Sequence, residues 1–154
     1  MWDFIWHLRG SIPLEATISN ATVLDRVEDL LRQQQKPIIQ RSAESVSFNM
    51  PLWNTQYGSW HNNWLAMVIY DQGHFRIEQE TRGRRLRYEL RSLHGFLFCL
   101  FAVPLFFLFA LATGSTVVYG IKLGAFAFSW LYGMNMLLAW LRIPKAIRAA
   151  VGNS

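Results

Sequence analysis

"SLHGFLFCLFAVPLFFLFALATGSTVVYGI", residues 92–121, runs for thirty positions without a formal charge, and after Lys122 a second uncharged run extends from Leu123 through Leu141. A helix needs about 20 residues to cross roughly 30 Å of hydrocarbon at 1.5 Å per residue. The two runs therefore predict two membrane spans, about 93–113 and 117–141. A buried core helix of a soluble protein would keep a polar face. The first span has none, because Phe96, Phe98, Phe101, Phe106, Phe107 and Phe109 lie all around its helical wheel. The connecting "ATGST" is short and uncharged, so the spans form a hairpin.

Working outward, the charges separate along the chain. Residues 1–81 carry a net −3, whereas residues 82–154 carry +8, together the +5 of the whole 154-residue chain. The high isoelectric point, about 9.8, thus belongs to the flanks of the hairpin. A nucleic-acid surface requires a basic face on the folded domain, and the N-terminal part is mildly acidic. Arg82, Arg84, Arg85, Arg87 and Arg91 precede the first span, and Arg142, Lys145 and Arg148 follow the second. The positive-inside rule then turns both termini to the cytoplasm of an inner (plasma) membrane. The same cations are expected to orient and anchor the chain against anionic headgroups. The N-terminus lacks the basic n-region and apolar core of a cleavable signal peptide. After Pro144, "KAIRAAV" suggests a basic interfacial tail over 142–154.

The remaining residues, 1–91, read as a soluble α+β head. "DFIWHL" alternates, which suggests a first strand ending near Gly10 and Pro13. "TVLDRVEDLLRQQQK" places Val23, Val27, Leu30 and Leu31 at helical spacing, with Thr22 and Asp25 as a prospective N-terminal cap and Pro37 as the stop. Strand patterns follow at "SVSFNM", "WLAMVIY", "HFRIEQ" and "LRYELR", with turns at "DQG" (71–73) and "TRGRR" (81–85). The order is β-α-β-β-β-β, one helix covering an antiparallel sheet, followed by the hairpin at 92–141.

Motifs for chemistry are sparse. His7, His61, His74 and His94 are scattered, and Cys99, the single cysteine, lies inside the first span where it serves as a small apolar residue. No metal site is expected and no cofactor is assigned. His94 is the one candidate axial ligand for a haem or pigment, although a lone histidine at a membrane boundary is ordinarily an interfacial residue. No glycine-rich phosphate loop, G-x-S-x-G elbow or H-E-x-x-H occurs. The unusual feature is "PLWNTQYGSWHNNW", residues 51–64, whose Trp53, Tyr57, Trp60, His61 and Trp64 are residue types that anchor interfaces. Gly120 and Gly124 form a G-x-x-x-G, and Ser129 with Gly133 extends the small-residue spacing that lets helices approach closely.

These features lead to an expectation of a non-catalytic accessory or adaptor subunit of a larger membrane complex. The hairpin would anchor it and the aromatic loop would supply contacts. A membrane-bound enzyme or sensor for a lipid or cofactor is a second reading, with His61, His94 and the tryptophans as its pocket. A third is a scaffold that self-associates through a sheet edge and the glycine face.

Overall fold

The computed structural model describes residues 5–50, 67, 69–81 and 83–152. Its elements are β1 (His7–Pro13), α1 (Asn20–Gln33), β2 (Ile38–Arg41), β3 (Ser45–Asn49), β4 (Gln72–Glu80), β5 (Gly83–Arg91), α2 (Leu93–Ala112) and α3 (Val117–Val151). The five strands form one antiparallel sheet in the order β1-β5-β4-β3-β2. The expected α+β head followed by two long apolar helices is therefore present.

Alternation in the strands sends Leu8 and Ile12 of β1, Val46 and Phe48 of β3, Phe75 and Ile77 of β4, and Leu86, Tyr88 and Leu90 of β5 to one face. Helix α1 covers that face with Val23, Leu24, Val27, Leu30 and Leu31. Its N-cap is Ser19, whose hydroxyl accepts from the Thr22 N–H at 3.1 Å, three residues before the expected Thr22 cap. Asp25 pairs instead with Arg41 on β2 at 2.6 Å. Gln35, at φ 55°, turns the chain out of α1.

Three local expectations change. The apolar run "WLAMVIY" is not a strand where it is described: Met67 and Ile69 lie in turns, although Met67 and Tyr70 are buried in the core. The fifth strand is instead β2, a short edge strand whose "IIQR" is too brief to show alternation and is mostly exposed. "DQG" is not a hairpin turn, because β4 begins at Gln72. Gly73 is there for close packing: a Cβ would stand 2.2 Å from Phe48 Cε1 and 2.6 Å from Leu90 Cδ2. At "TRGRR", by contrast, Glu80 pairs with Gly83 across a two-residue turn, and Gly83 supplies the positive φ of 116°. Arg84 and Arg85 belong to β5.

Helices α2 and α3 are long and apolar enough to cross a membrane. They pack antiparallel through the glycines: Gly120 lies under Phe107 and Gly124 under Val103, where a Cβ would meet Cγ1 at 3.0 Å. Helix α3 does not end near Leu141. It runs through Pro144 as one 35-residue helix, and Ala139, Ile143, Ile147 and Val151 enter the same core as the sheet and α1. Residues 142–151 are thus part of the head rather than a separate interfacial tail. Their i, i+4, i+8 spacing gives the helix an apolar stripe that the sheet and α1 bury. Arg26 of α1 donates to the Val151 carbonyl at 3.0 Å and ties the two helices together at that end.

Candidate functional site

The most constrained polar cluster lies where head and hairpin meet. Strand β5 ends at Arg91, α2 begins at Leu93, and Ser92 between them is fully buried. The Ser92 N–H donates to the Trp6 carbonyl at 2.7 Å, and its hydroxyl lies 3.1 Å from the Tyr132 hydroxyl, which donates to the Ile5 carbonyl at 2.8 Å. The entry to β1, the exit from β5, the start of α2 and the middle of α3 are held by these few bonds. Aromatic rings reinforce them, with Phe96 edge-on to Tyr132 at 5.3 Å and tilted against Trp6 at 5.6 Å.

Beside Ser92, Asp71 is 2% exposed. Its Oδ2 accepts from Arg91 Nε at 3.0 Å and Nη2 at 2.7 Å, and its Oδ1 accepts from the His94 N–H at 3.3 Å. His94 is the second residue of α2, so a distant carboxylate caps that helix and complements its positive end. Lys36, 4% exposed, donates from Nζ to the Tyr70 carbonyl at 2.7 Å and stands 5.7 Å from the Phe48 ring centroid. Burial lowers its pKa from 10.5 to about 8, a fall opposed by the negative charge of Asp71. Burial also raises the Tyr70 phenol well above its ordinary range, with Tyr132 and Tyr88 adding to the rise.

This cluster is suited to holding geometry. Lys36 and Asp71 are enclosed, and neither lines any of the three surface depressions described here. Asp71 and His74 do not form a pair, because Asp71 is buried under Arg91 whereas His74 sits on the exposed face of β4. That exposed face carries a cross-strand ladder of ion pairs: Arg9–Glu89 at 2.6 Å, Arg87–Glu78 and Arg87–Glu80 at 2.9 Å, and Arg85–Glu80 at 3.8 Å. Two depressions open on it. One of about 490 Å³ is lined by Arg9, Ser11, Arg76 and Arg87, and one of about 500 Å³ at the hairpin end by Trp6, His7, Asn49, Gln72 and Arg91, with His74 and Glu89 shared between them. A third, of about 350 Å³, lies between Ile12, Leu14, Ile18 and the end of α3.

The sequence-derived candidates fare unequally. Trp53, Tyr57, Trp60, His61 and Trp64 lie outside the described residues, as does Arg82. His94 lies in the first turn of α2, and no three His, Cys, Asp or Glu side chains converge on a metal-sized site among the described residues. Gly120 and Gly124 are spent on the contact with α2, whereas Ser129 and Gly133 are exposed on the other side of α3. The described arginines before the first span are spread along β5 rather than gathered at the hairpin. On an extended strand Arg84 and Arg91 stand about 24 Å apart. Arg84 binds the Asn20 side chain and the carbonyls of Glu15 and Ile18, and so fastens the β1–α1 loop. Arg85 and Arg87 belong to the ion-pair ladder, leaving Arg91 as the one of these described arginines next to the helix start. The cluster of Lys36, Asp71, Ser92 and Tyr132 was not legible as a unit. The sequence accounts for Asp71 as a turn residue of "DQG", so no local signal points to the cluster.

Comparison with known protein families, curated proteins and solved structures finds no match. The fold and its site therefore define the class alone: an α+β head fused to a two-helix hairpin.

Proposed function

We propose that this chain is a non-catalytic accessory subunit of a larger inner-membrane complex, with both termini in the cytoplasm and the head presented to a protein partner in a fixed position relative to the bilayer. One observation carries the reading: head and hairpin share a core, through Ile143 and Ile147 of α3 and the buried Ser92–Tyr132 contact. A head that cannot swing on a linker suits a fixed docking platform. Arg91 before the first span, with Arg142, Lys145 and Arg148 after the second, supports the orientation. The polar sheet face and, by its composition, the aromatic segment 51–64 are the contacts this reading assigns to the partner. The test is mild detergent extraction at native abundance followed by affinity purification and native mass spectrometry. A defined co-purifying membrane protein, lost when Trp60 and Trp64 are changed to alanine in a head that still folds, is the expected result. Recovery only as a lone monomer overturns the reading.

A second reading, a sensor of a lipid headgroup, draws on the hairpin-end depression, where Arg91, His7 and His74 stand together with Glu89. Co-purified acidic lipid lost in Arg91→Gln would select it over the first.

A further inference from the structure

The two spans do not begin at the same level. Gly120 meets Phe107, Gly124 meets Val103, Phe96 meets Phe128 and Tyr132, and Ser92 meets Tyr132 and Met136. This antiparallel register sets the start of α2 level with about residue 134 of α3. The outward stripe of α3 nevertheless stays apolar beyond that level. It continues through Leu137, 48% exposed, to Leu141, 49% exposed, with Trp140 beside it at 62%. Leu141 is seven residues past position 134, about 10 Å along the helix. The same stripe then turns basic at Lys145 and Arg148. On the inner side of this segment, Ala139 and Ile143 are already packed into the head.

We propose that the bilayer covers this outer stripe of α3 as far as Leu141, so that the head is seated about 10 Å into the lipid interface on its α3 side. The occupant of the stripe is lipid rather than a second protein surface, for three reasons. The stripe joins Phe126 and Trp130, which face outward on the span itself, through the exposed Met134 and Leu138, with the small polar Ser129 at its edge. It ends in cations, the complement of anionic headgroups. A tryptophan marks its end, as at membrane interfaces generally. The polar neighbour Asn135 donates to the Leu131 carbonyl of its own helix at 2.8 Å, which lowers the cost of bringing it near lipid. The seat leaves the polar sheet face free and fixes the tilt of the head.

The inference rests on the hairpin crossing a membrane, and one experiment separates the two. Full-length protein with Cys99→Ala is placed in phosphatidylcholine/phosphatidylglycerol vesicles, and single nitroxides are attached at Leu137→Cys, Leu141→Cys, Leu105→Cys on α2 and Ile39→Cys on β2, all four exposed positions. Collision with oxygen reports lipid, and collision with a water-soluble nickel chelate reports solvent. The expected result is an oxygen-to-nickel ratio at 137 and 141 several-fold above that at 39 and approaching that at 105. Nickel accessibility at 137 and 141 equal to that at 39 overturns the seat, as does exclusion of both reagents, which would mean a protein covering. A water-like signal at 105 itself overturns the membrane reading and the seat with it.

Discussion

At the scale of single residues, the buried ionisable groups at the junction have opposite consequences. Lys36 carries a folded-state pKa of about 8 against 10.5 unperturbed, so between those values the unfolded chain binds more protons than the folded one. Stability therefore rises as pH increases from about 8 to about 10.5, by about 3 kcal/mol. Tyr70, whose phenol is raised by burial, works the other way and costs stability once pH passes about 10. Denaturant titration in mild detergent at stepped pH is expected to show the rise, and Lys36→Met to remove it. Asp71→Ala should cost about 3 kcal/mol, since it leaves the Arg91 guanidinium without its acceptor and α2 without its cap. A loss well under 1 kcal/mol in the same titration would show that the cluster does not hold the junction. The acid was legible as a polar residue before a glycine, but its burial was not, because nothing local reveals that Arg91 folds back over it.

At the scale of elements, α3 makes two different contacts along its length. Its first half packs on α2 through small residues, so Gly124→Leu, whose Cβ alone would meet the Val103 carbonyl oxygen at 3.2 Å, is expected to cost about 1–3 kcal/mol by forcing the helices apart. Thermal unfolding in detergent measures it. The second half packs on the head. Ile147→Ala should destabilise the head by about 2–5 kcal/mol despite lying beyond both spans, read from the same melt monitored by the head's tyrosine and tryptophan fluorescence. The two spans were legible as elements from length and composition. The end of α3 was not, because "IPKAIRAAV" has the same period whether its stripe meets lipid or a sheet. The spread of the β5 arginines, by contrast, follows from the strand that "LRYELR" predicts, since extended backbone advances more than twice as far per residue as a helix.

At the scale of the whole molecule, the shared core fixes the head relative to the hairpin. Removing residues 142–154 would uncover the sheet face that Ile143, Ile147 and Val151 protect. The truncated chain is expected to aggregate on extraction, and size-exclusion chromatography of the extract checks this. If the proposed orientation holds, changing Arg142, Lys145 and Arg148 together to glutamate should lower the fraction of chains whose C-terminus lies on the proposed cytoplasmic side, scored by a reporter fused there.

What the sequence by itself determined is what depends on neighbours along the chain. Thirty uncharged residues set the first span, alternation set β3, β4 and β5, and helical spacing set α1. Those signals come from the local contest between burying side chains and satisfying backbone polar groups. The tertiary structure alone decided which faces meet: that Gly73 makes room for Phe48, that Asp71 caps a helix it does not belong to, and that the last turns of α3 complete the head. Each is a contact between residues far apart in the chain, and its energy exists only once the fold has brought them together.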